Sequence, residues 1–440
     1  MNLCRSATCH KQASCIVRPE ETSQLQRLVQ RLVENDVRFA VRSGGHSPNL
    51  LAAAIEDGIL IDMSGFDEVT IDKDNGVVVV GSGQRWGDKI FPALTAEGLM
   101  AVGGRVPAVG VGGFLQGTGL SYLSGRYGLA CDNVKNFEVI LSDGSLVNAN
   151  TDENPDLFKA MKGTGNQFGI VTRFTIYTYP LGQIWGGQKF YGPEQLPALL
   201  QASLEFQQNA ALHDVDASIM LLYFPTGPDA GGVLSMVYLK PEANPPAFAP
   251  FENIPTTDDN TKIQSLTSMI AGAPVPPNPR WDWWNVNFRP TAAIYDHFQP
   301  LLQGQPVETI SSVKNSTIAV GLNSIGPNVI QRGIDMGGNL LGNTVEAQTW
   351  FAINAGWANA ADDETVHTAG GELIRQMRDV TIKEGEHIEW LFPNEANHDQ
   401  QVTGSFGVQN VEELRRVRDK YDPQRVYQRL LPGGFKIPGS

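Results

Sequence analysis

The sequence predicts an α+β fold in two parts. Residues 20–35 (EETSQLQRLVQRLVEN) place apolar side chains at the i, i+3, i+4, i+7 spacing of an amphipathic helix. GILIDMS and GVVVVGSG, rich in β-branched residues, indicate strands. From about residue 185 longer segments and the proline-rich stretch KPEANPPAFAPFENIP begin, with strand-like runs (GGVLSMVYL, STIAVGL) alternating with helix-like ones. This change indicates a second α+β domain.

The other elements of the first part follow the same rules. VRFAVRSGG is a strand that runs into a glycine turn, and RWGDKIFPALTAEG has helical spacing. Residues 134–149 form a hairpin with an Asp-Gly turn. NPDLFKAMKG predicts a helix with Asn154 as N-cap and Pro155 in first position, followed by the strand FGIVTRFTIYTYP. Near the end of the chain, Pro423 must terminate the helix that begins at VEELRRVRDKY.

Charge and hydropathy exclude two classes of partner. The 440 residues carry a formal net charge of −14, which repels polyanions, so nucleic acid is not expected. No run of 18 apolar residues predicts a membrane span. A monomer is expected.

Cysteine and the chain start leave the compartment open. Cys4, Cys9 and Cys15 lie close together and Cys131 lies apart, so either one short-range disulfide or reduced thiols are compatible with the spacing. The opening MNLCRSATCHKQ lacks the apolar core of a signal peptide, so secretion is expected only if a preceding segment is missing.

Glycine concentrates in residues 101–128, AVGGRVPAVGVGGFLQGTGLSYLSGRYG. Because ordered glycine costs conformational entropy, such density indicates close approach of a ligand to the backbone, and converging N–H groups favour a diphosphate. No Walker A lysine is present, and Leu115 stands where a Rossmann fingerprint needs its third glycine. The prediction is a dinucleotide-like ligand in neither common fold; a purely structural loop is the alternative.

Five motifs in register identify a family resemblance. RSGGHS, VPAVGVGGFLQGTG, YGLACDNV, GTGNQFGIVT and YDP…LLPGGFK resemble the berberine-bridge-enzyme branch of the vanillyl-alcohol-oxidase flavoproteins, in its fungal form. The resemblance covers about residues 10–180 and 387–436. It implies an FAD-binding PCMH-type domain (1–183), an inserted antiparallel-sheet substrate domain (184–386) and a returning berberine-bridge-like segment (387–440).

The resemblance also assigns His46, at the tip of the RSGGH turn. It implies a covalent bond from this imidazole to the flavin methyl group, and a neutral imidazole is a nucleophile near pH 7. A general base or metal ligand is the alternative reading, but no partner stands at ligand spacing. The cofactor-binding residues it implies are Arg42, Ser43, Gly44, Gly45, Ser47, Gly104, Val106, Val109, Gly110, Gly112, Gly113, Gly117, Asn166, Gly169, Val171 and Asn394.

Two valines refine the expected flavin chemistry. Many family members form a second flavin bond through a cysteine at the position of Val106, so single attachment is expected here. Val109 occupies the position that controls oxygen access in the family, and valine is the permissive type. An oxidase that reduces O₂ to H₂O₂ is therefore expected.

The catalytic base is open. The family often has a Tyr-x-Asn element, and here Phe392 replaces the tyrosine while Asn394 is retained. Glu395 is the first candidate base, with Glu389 and His387 as local substitutes and a solvated surface carboxylate as the alternative.

A small-molecule substrate is expected. Either the tryptophans are core or they form an aromatic floor for the substrate. The leading function is oxidation of an alcohol or activated C–H of a secondary metabolite; an oxidative cyclase or pericyclase, a carbohydrate oxidase and a non-enzymatic binding protein are alternatives. The candidate substrate residues are Trp281, Trp283, Trp284, Trp350, Trp357, Gln188, Tyr223 and Asn354.

Overall fold

A small parallel sheet opens the fold. The structure, a computed structural model, describes residues 6–272 and 278–439. The small sheet has the order β1-β3-β2, and helix α1 (Thr22–Glu34) buries its apolar stripe, which confirms the predicted helix. β2 leads directly into the glycine turn that carries His46. The strands are β1 (Cys15–Val17), β2 (Phe39–Arg42) and β3 (Ile59–Asp62).

A second sheet follows, with β9 as its central strand. All its pairings are antiparallel, and the predicted hairpin forms between β7 and β8. Its core contains Phe137 and Phe174, whose rings meet edge to face. The strands are β4 (Val69–Asp72), β5 (Val77–Gly81), β6 (Leu99–Ala101), β7 (Val134–Ile140), β8 (Leu146–Ala149) and β9 (Ile170–Pro180).

The helix after β8 begins at Pro155 with Asn154 as its N-cap residue, as predicted, but the Asn154 side chain does not cap the helix. Asn154 is left-handed, with φ 51°, and its side chain makes no cap hydrogen bond. Its amide Nδ2 instead donates to the carbonyl of Asn148 at 2.8 Å. Asparagine tolerates this left-handed conformation, so the residue serves the turn rather than the helix.

The third sheet is the largest, with nine strands among the described residues, and all its pairings are antiparallel. Its main path runs β13-β10-β12-β11-β16-β17-β15-β18, and β14 also pairs with β10. The strands are β10 (Ile184–Tyr191), β11 (Ala217–Phe224), β12 (Gly231–Tyr238), β13 (Asp258–Asp259), β14 (Lys262–Gln264), β15 (Arg280–Phe288), β16 (Thr317–Ile325), β17 (Gln348–Trp357) and β18 (His387–Ile388).

One face of the third sheet packs against helices and the other faces a cavity. β11 shows this as strict alternation: its odd-numbered residues are buried and its even-numbered ones are half-buried. The remaining helices are α2 (Phe91–Ala96), α3 (Val111–Gln116), α4 (Ser124–Tyr127), α5 (Pro155–Met161), α6 (Leu196–Gln208), α7 (Ala210–His213), α8 (Leu266–Ala271), α9 (Ala292–Tyr295), α10 (Phe298–Leu302), α11 (Gln305–Ser312), α12 (Pro327–Asp335), α13 (Asp363–Lys383), α14 (Val408–Tyr421) and α15 (Val426–Arg429).

The C-terminal segment packs on the first part of the chain. α14 ends at Tyr421, two residues before Pro423, as predicted. The buried Tyr427 hydroxyl donates to the carbonyl of Ile140 in β7 at 2.8 Å. Strand β18, in contrast, pairs with β15 of the third sheet. The domain boundaries themselves stay a prediction.

The described residues bear on two expectations, one about a disulfide and one about a membrane span. Cys4 lies outside the described residues, so the choice between a short-range disulfide and reduced thiols stays open. The Cys15 thiol is exposed and the Cys131 thiol is buried, and neither is in a disulfide. Among the helices the structure describes, none has the length and hydropathy needed to cross a bilayer.

Helix α13 is attached to β15 by a histidine–carboxylate pair. His367 Nδ1 lies 2.6 Å from Asp282 Oδ2, and its Nε2 lies 3.7 Å from Asp399. The hydrogen bond to Asp282 raises the pKa of His367 although partial burial opposes it. A raised histidine pKa contributes stability below the unfolded pKa of about 6.5, and this contribution is lost as pH rises through the folded value.

We therefore predict that His367→Gln lowers Tm by about 2 °C near pH 6, and that this difference shrinks as pH rises. Thermal unfolding measured from pH 5.5 to pH 9, in steps of about half a pH unit, gives this Tm difference. His213→Gln, at an exposed position, is the matched control. A Tm difference that does not change with pH would contradict the assignment.

Candidate active site

A cavity of about 1650 Å³ lies between the first part of the chain and the third sheet. The turn after β2, the loop before α3, the third sheet and the C-terminal segment all contribute walls. Its volume exceeds the roughly 300–1,000 Å³ of pockets for drug-sized ligands. It therefore has room for a dinucleotide and a second, smaller molecule.

Two glycine backbones meet at the base of this cavity. A Cβ on Gly44 would stand 2.5 Å from the Gly110 Cα, and one on Gly110 would stand 2.3 Å from the Gly44 nitrogen. The Ser43 hydroxyl donates to the Ser82 carbonyl at 2.6 Å and accepts from the Gly112 N–H at 3.2 Å. Only glycine at both positions permits this approach, which joins the turn after β2 to the glycine-rich loop.

The cavity wall here fits a dinucleotide. A Cβ on Gly113 or Gly165 would meet no protein atom within 4 Å, so backbone is open to a ligand at both places. Three buried polar atoms of lining residues, Asn49 Oδ1, Ser82 Oγ and Gln116 Nε2, have no hydrogen-bond partner in the described chain. Buried polar groups are normally satisfied, so these atoms indicate a polar ligand.

His46 lies on the cavity wall. Its ring centroid is 5.8 Å from that of Trp283, a half-buried residue of β15. The turn that carries it is held by Arg85, which donates to the Gly44 carbonyl at 3.1 Å. His46 therefore lies at the wall of the ligand space, and its role there stays a prediction.

Most of the other predicted cofactor residues also reach the cavity, but Arg42 and Gly104 do not line it. Arg42 is buried and pairs with Asp62 at 3.1 Å. Although burial raises it, hydrogen bonds from Ser64 and the pair with Arg42 hold the pKa of Asp62 below its ordinary value. Gly104 packs against Trp86 instead. The predicted residues that line the cavity are Ser43, Gly44, Gly45, His46, Ser47, Val106, Val109, Gly110, Gly112, Gly113, Gly117, Asn166, Gly169, Val171, Asn394 and Glu395.

Asn394 joins the C-terminal segment to the glycine-rich loop. Its Oδ1 accepts from the Gly119 N–H at 2.8 Å, and its Nδ2 donates to the Gly113 carbonyl at 3.2 Å. A Cβ on Gly117 would stand 2.4 Å from the same amide. The side chain thus positions backbone that borders the cavity, and it also places Glu395, the next residue, at the wall.

Glu395 is the one of the three candidate bases that lines the cavity. Its Oε1 lies 3.5 Å from Arg105 Nη2 and its Oε2 accepts from Asn323 Nδ2 at 3.3 Å. Burial raises the pKa of Glu395, and Arg105 and Asn323 offset only part of this effect. Glu389 is 74% exposed and His387 bonds to Thr381, so neither reaches the cavity.

Strand alternation and local packing separate the predicted substrate residues. Trp281, Trp283, Gln188 and Asn354 line the cavity. Tyr223 does not, because it lies on the helix-covered face of β11, where its hydroxyl donates to the Pro193 carbonyl at 3.2 Å. The tryptophans that are core instead of cavity floor are Trp284, Trp350 and Trp357.

Phe392 occupies the expected place beside Asn394. Its ring is wedged against Trp350, with centroids 4.8 Å apart, and it lines the cavity. No hydroxyl stands there to accept a proton. Any proton transfer in this region therefore depends on a neighbouring side chain.

Arg105 and Asn323 are site residues that the sequence reasoning missed. Arg105 Nη1 donates to Asn323 Oδ1 at 2.7 Å. One signal was present: Arg105 is the only charged residue between Gly103 and Gly125. Asn323 lies within a strand and carried no comparable signal. Among the described residues no group of three His, Cys, Asp or Glu side chains could hold a metal ion.

Comparisons with known proteins identify an FAD binding domain and related flavoproteins. Residues 13–150 match the model of an FAD binding domain. The chain is 32% identical to an FAD-dependent monooxygenase of Arthrobotrys oligospora over 98% of this chain and 83% of the relative. It is 31% identical to the bifunctional solanapyrone synthase of Alternaria solani, again over 98% and 83%.

Solved structures share the fold. The 6-hydroxy-D-nicotine oxidase of Arthrobacter nicotinovorans superposes with a TM-score of 0.80 at 20% identity, covering 99% of this chain and 95% of the other. The xylooligosaccharide oxidase of Myceliophthora thermophila gives 0.82 at 18% identity, covering 100% and 94%.

The FAD binding domain and the relatives define the class as a flavin-dependent oxidoreductase. The two-domain PCMH-type α+β fold expected from the motifs is thereby confirmed. The chain belongs to the family of FAD-dependent oxidoreductases that includes the Arthrobotrys oligospora monooxygenase and the Alternaria solani synthase, and it shares its fold with a berberine-bridge-enzyme-like protein of Physcomitrella patens.

The Gly44–Gly110 contact and the open position at Gly113 lead to opposite expectations for a glycine-to-alanine substitution. Gly110→Ala places a Cβ on immovable backbone, so we expect Tm to fall and flavin content to drop. Gly113→Ala adds a methyl group to open space, so we expect an unchanged Tm in flavin-free protein and a reduced flavin content. Differential scanning fluorimetry and the visible spectrum measure both. Equal Tm losses in the two variants would contradict the assignment.

Proposed function

We propose that the protein is an FAD-dependent oxidase that removes hydride from an alcohol or an activated C–H of a small metabolite and reduces O₂ to H₂O₂. The observation that carries the proposal is Glu395, a carboxylate placed by Asn394 at the wall of a cavity with room for FAD and a substrate. FAD supplies the two-electron acceptor when bound. The secondary-metabolite substrate is supported by relatives such as the solanapyrone synthase.

Single attachment of the flavin through His46 is part of this proposal. The imidazole lines the cavity beside Trp283, and its turn is supported by the Gly44–Gly110 contact. Val106, also on the wall, has no sulfur with which to form a second bond. A protein that shares the fold, the glucooligosaccharide oxidase of Acremonium strictum, carries a 6-S-cysteinyl, 8α-N1-histidyl FAD.

We predict that acid-precipitated protein retains its yellow colour in the pellet, and that His46→Ala releases all of it to the supernatant. His398→Ala is the matched control, because His398 lines the same cavity but is not the proposed attachment residue. In-gel flavin fluorescence after denaturation checks the result. Colour in the wild-type supernatant would overturn the linkage.

Glu395 is the proposed base. For an alcohol substrate, the carboxylate accepts the hydroxyl proton while the carbon loses hydride, leaving the carbonyl product. Two electrons and two protons thus leave the substrate and reduce O₂ to H₂O₂. Because burial raises the pKa of Glu395, the group is a stronger base than an ordinary carboxylate, and it is inactive below that pKa, where it is protonated.

Glu395→Gln is expected to slow substrate-dependent flavin reduction by about 10²- to 10⁴-fold and to leave reoxidation by O₂ unchanged. The acid limb of the kcat/KM profile, where activity falls as pH falls, should disappear in the variant. Glu389→Gln is the control, since its carboxylate is exposed on the same segment. Anaerobic stopped-flow reduction followed by mixing with O₂ separates the half-reactions; unchanged reduction would remove Glu395 from the mechanism.

Val109 supports the oxidase over a dehydrogenase. It lies on the cavity wall two residues before the α3 helix. A valine there is the oxygen-permissive type expected from the motif. Stoichiometric H₂O₂ release in air is the expected readout, and slow reoxidation of the reduced flavin would count against it.

An oxidative cyclase or pericyclase is the second candidate. Phe392 favours it, because the ring offers shape without proton-transfer chemistry. The Alternaria solani relative is itself described as bifunctional. Product formation without O₂ consumption would favour this candidate, and a panel of oligosaccharides would test a carbohydrate substrate.

A further inference from the structure

The charge on the cavity wall is unevenly distributed. Of the lining residues in the described part of the chain, Arg105 is the only lysine or arginine. It stands in a protein with a formal net charge of −14. Its side chain is 13% exposed, so most of the guanidinium is shielded from bulk solvent. A buried charge is costly unless it is paired, so this cation needs a partner.

The protein supplies only part of that partner. Arginine has five N–H donors. Within the described residues Arg105 makes one hydrogen bond, to Asn323 Oδ1 at 2.7 Å, and one ion-pair contact, to Glu395 at 3.5 Å. The Tyr122 ring lies 5.9 Å from the guanidinium carbon and adds a weak cation–π contact. Donor capacity therefore remains for a ligand.

The surroundings place this capacity on the substrate side. Asn323, which orients the guanidinium, belongs to β16 of the third sheet. The adjacent strand β17 presents Asn354 to the same cavity, and Gln188 lines it from β10, farther along the sheet. An oxygen-rich ligand would satisfy these donors.

We propose that Arg105 binds an anionic oxygen of the substrate, either a carboxylate or an enolate, and so selects acidic metabolites. The inference rests on the proposed function and names the substrate class of that same site. The guanidinium fork matches two oxygens of a planar anion. Binding there also sets the reacting carbon beside Glu395, the group that takes the proton.

The test is calorimetric titration of the oxidised holoenzyme with benzoate, with benzyl alcohol as its neutral match. Wild-type protein should bind benzoate at least tenfold more tightly than benzyl alcohol. Arg105→Gln should weaken benzoate binding by about 10- to 100-fold and leave benzyl alcohol unchanged. Arg105→Lys, which keeps the charge without the fork, should lie between them. Lys73→Gln, an exposed lysine, controls for the loss of one charge.

Glu395→Gln gives a result that a merely structural Arg105 would not produce. It removes the carboxylate that competes for the guanidinium, so benzoate should bind several-fold more tightly while turnover falls. The same titrations with 1,3-cyclohexanedione, an acidic enol, and its neutral methyl enol ether distinguish enolate from carboxylate recognition. A preference for either anion supports the proposal, and the tighter one identifies the source.

Three outcomes overturn the proposal. One is equal benzoate affinity in wild type and Arg105→Gln. Another is loss of flavin from Arg105→Gln, because the cation would then hold the cofactor. The third is a shifted flavin reduction potential with unchanged benzoate binding, which would place the charge at the isoalloxazine. Failure of the proposed function is separate: it appears as absent flavin or absent oxidation in wild type, whereas these titrations require no turnover.

Discussion

The close contact of two glycine backbones, Gly44 and Gly110, is the constraint on which the rest of the site depends. It joins the turn after β2 to the loop before α3, and it leaves no room for a Cβ on either side. The same contact orients the turn that carries His46 and the loop that carries Val106 and Val109. This arrangement costs conformational entropy, because glycine loses more of it on folding than other residues do. In return, backbone from two distant segments of the chain forms one wall of the cavity.

Arg105, on the same glycine-rich loop, and Glu395 form the charged pair that determines the electrostatics of this part of the cavity. Glu395 and Arg105 share a region with little access to water, where a carboxylate is poorly solvated and its pKa rises. The 3.5 Å separation is long for a strong ion pair. Each group therefore keeps part of its capacity for a ligand: the carboxylate for a proton and the guanidinium for an oxygen. A tighter Arg105–Glu395 pair would stabilise the protein without substrate and leave both side chains with less capacity to bind one.

Local patterns predicted what local physics determines. The amphipathic spacing of residues 20–35, the Asp-Gly hairpin and the stop before Pro423 all depend on neighbours in sequence, and the structure has them. The glycine motifs likewise lie along the wall of the cavity. Asn154 was the local exception, because a cap and a left-handed turn use the same residue type and only the backbone angle separates them.

Long-range strand pairing determines which side chains reach the cavity, and the sequence alone could not predict this. From the sequence, five tryptophans fall together, as either core or cavity floor. In the structure Trp283 lines the cavity and Trp284 lies in the core, because successive side chains of β15 point to opposite faces. The partner of Arg105 lies 218 residues away in β16, so no spacing rule could join them. Arg42 shows the converse: it belongs to a recognisable motif, yet its guanidinium is paired with Asp62. A motif thus locates a wall of the cavity, and the register of the third sheet determines which side chains can reach a ligand from the facing wall.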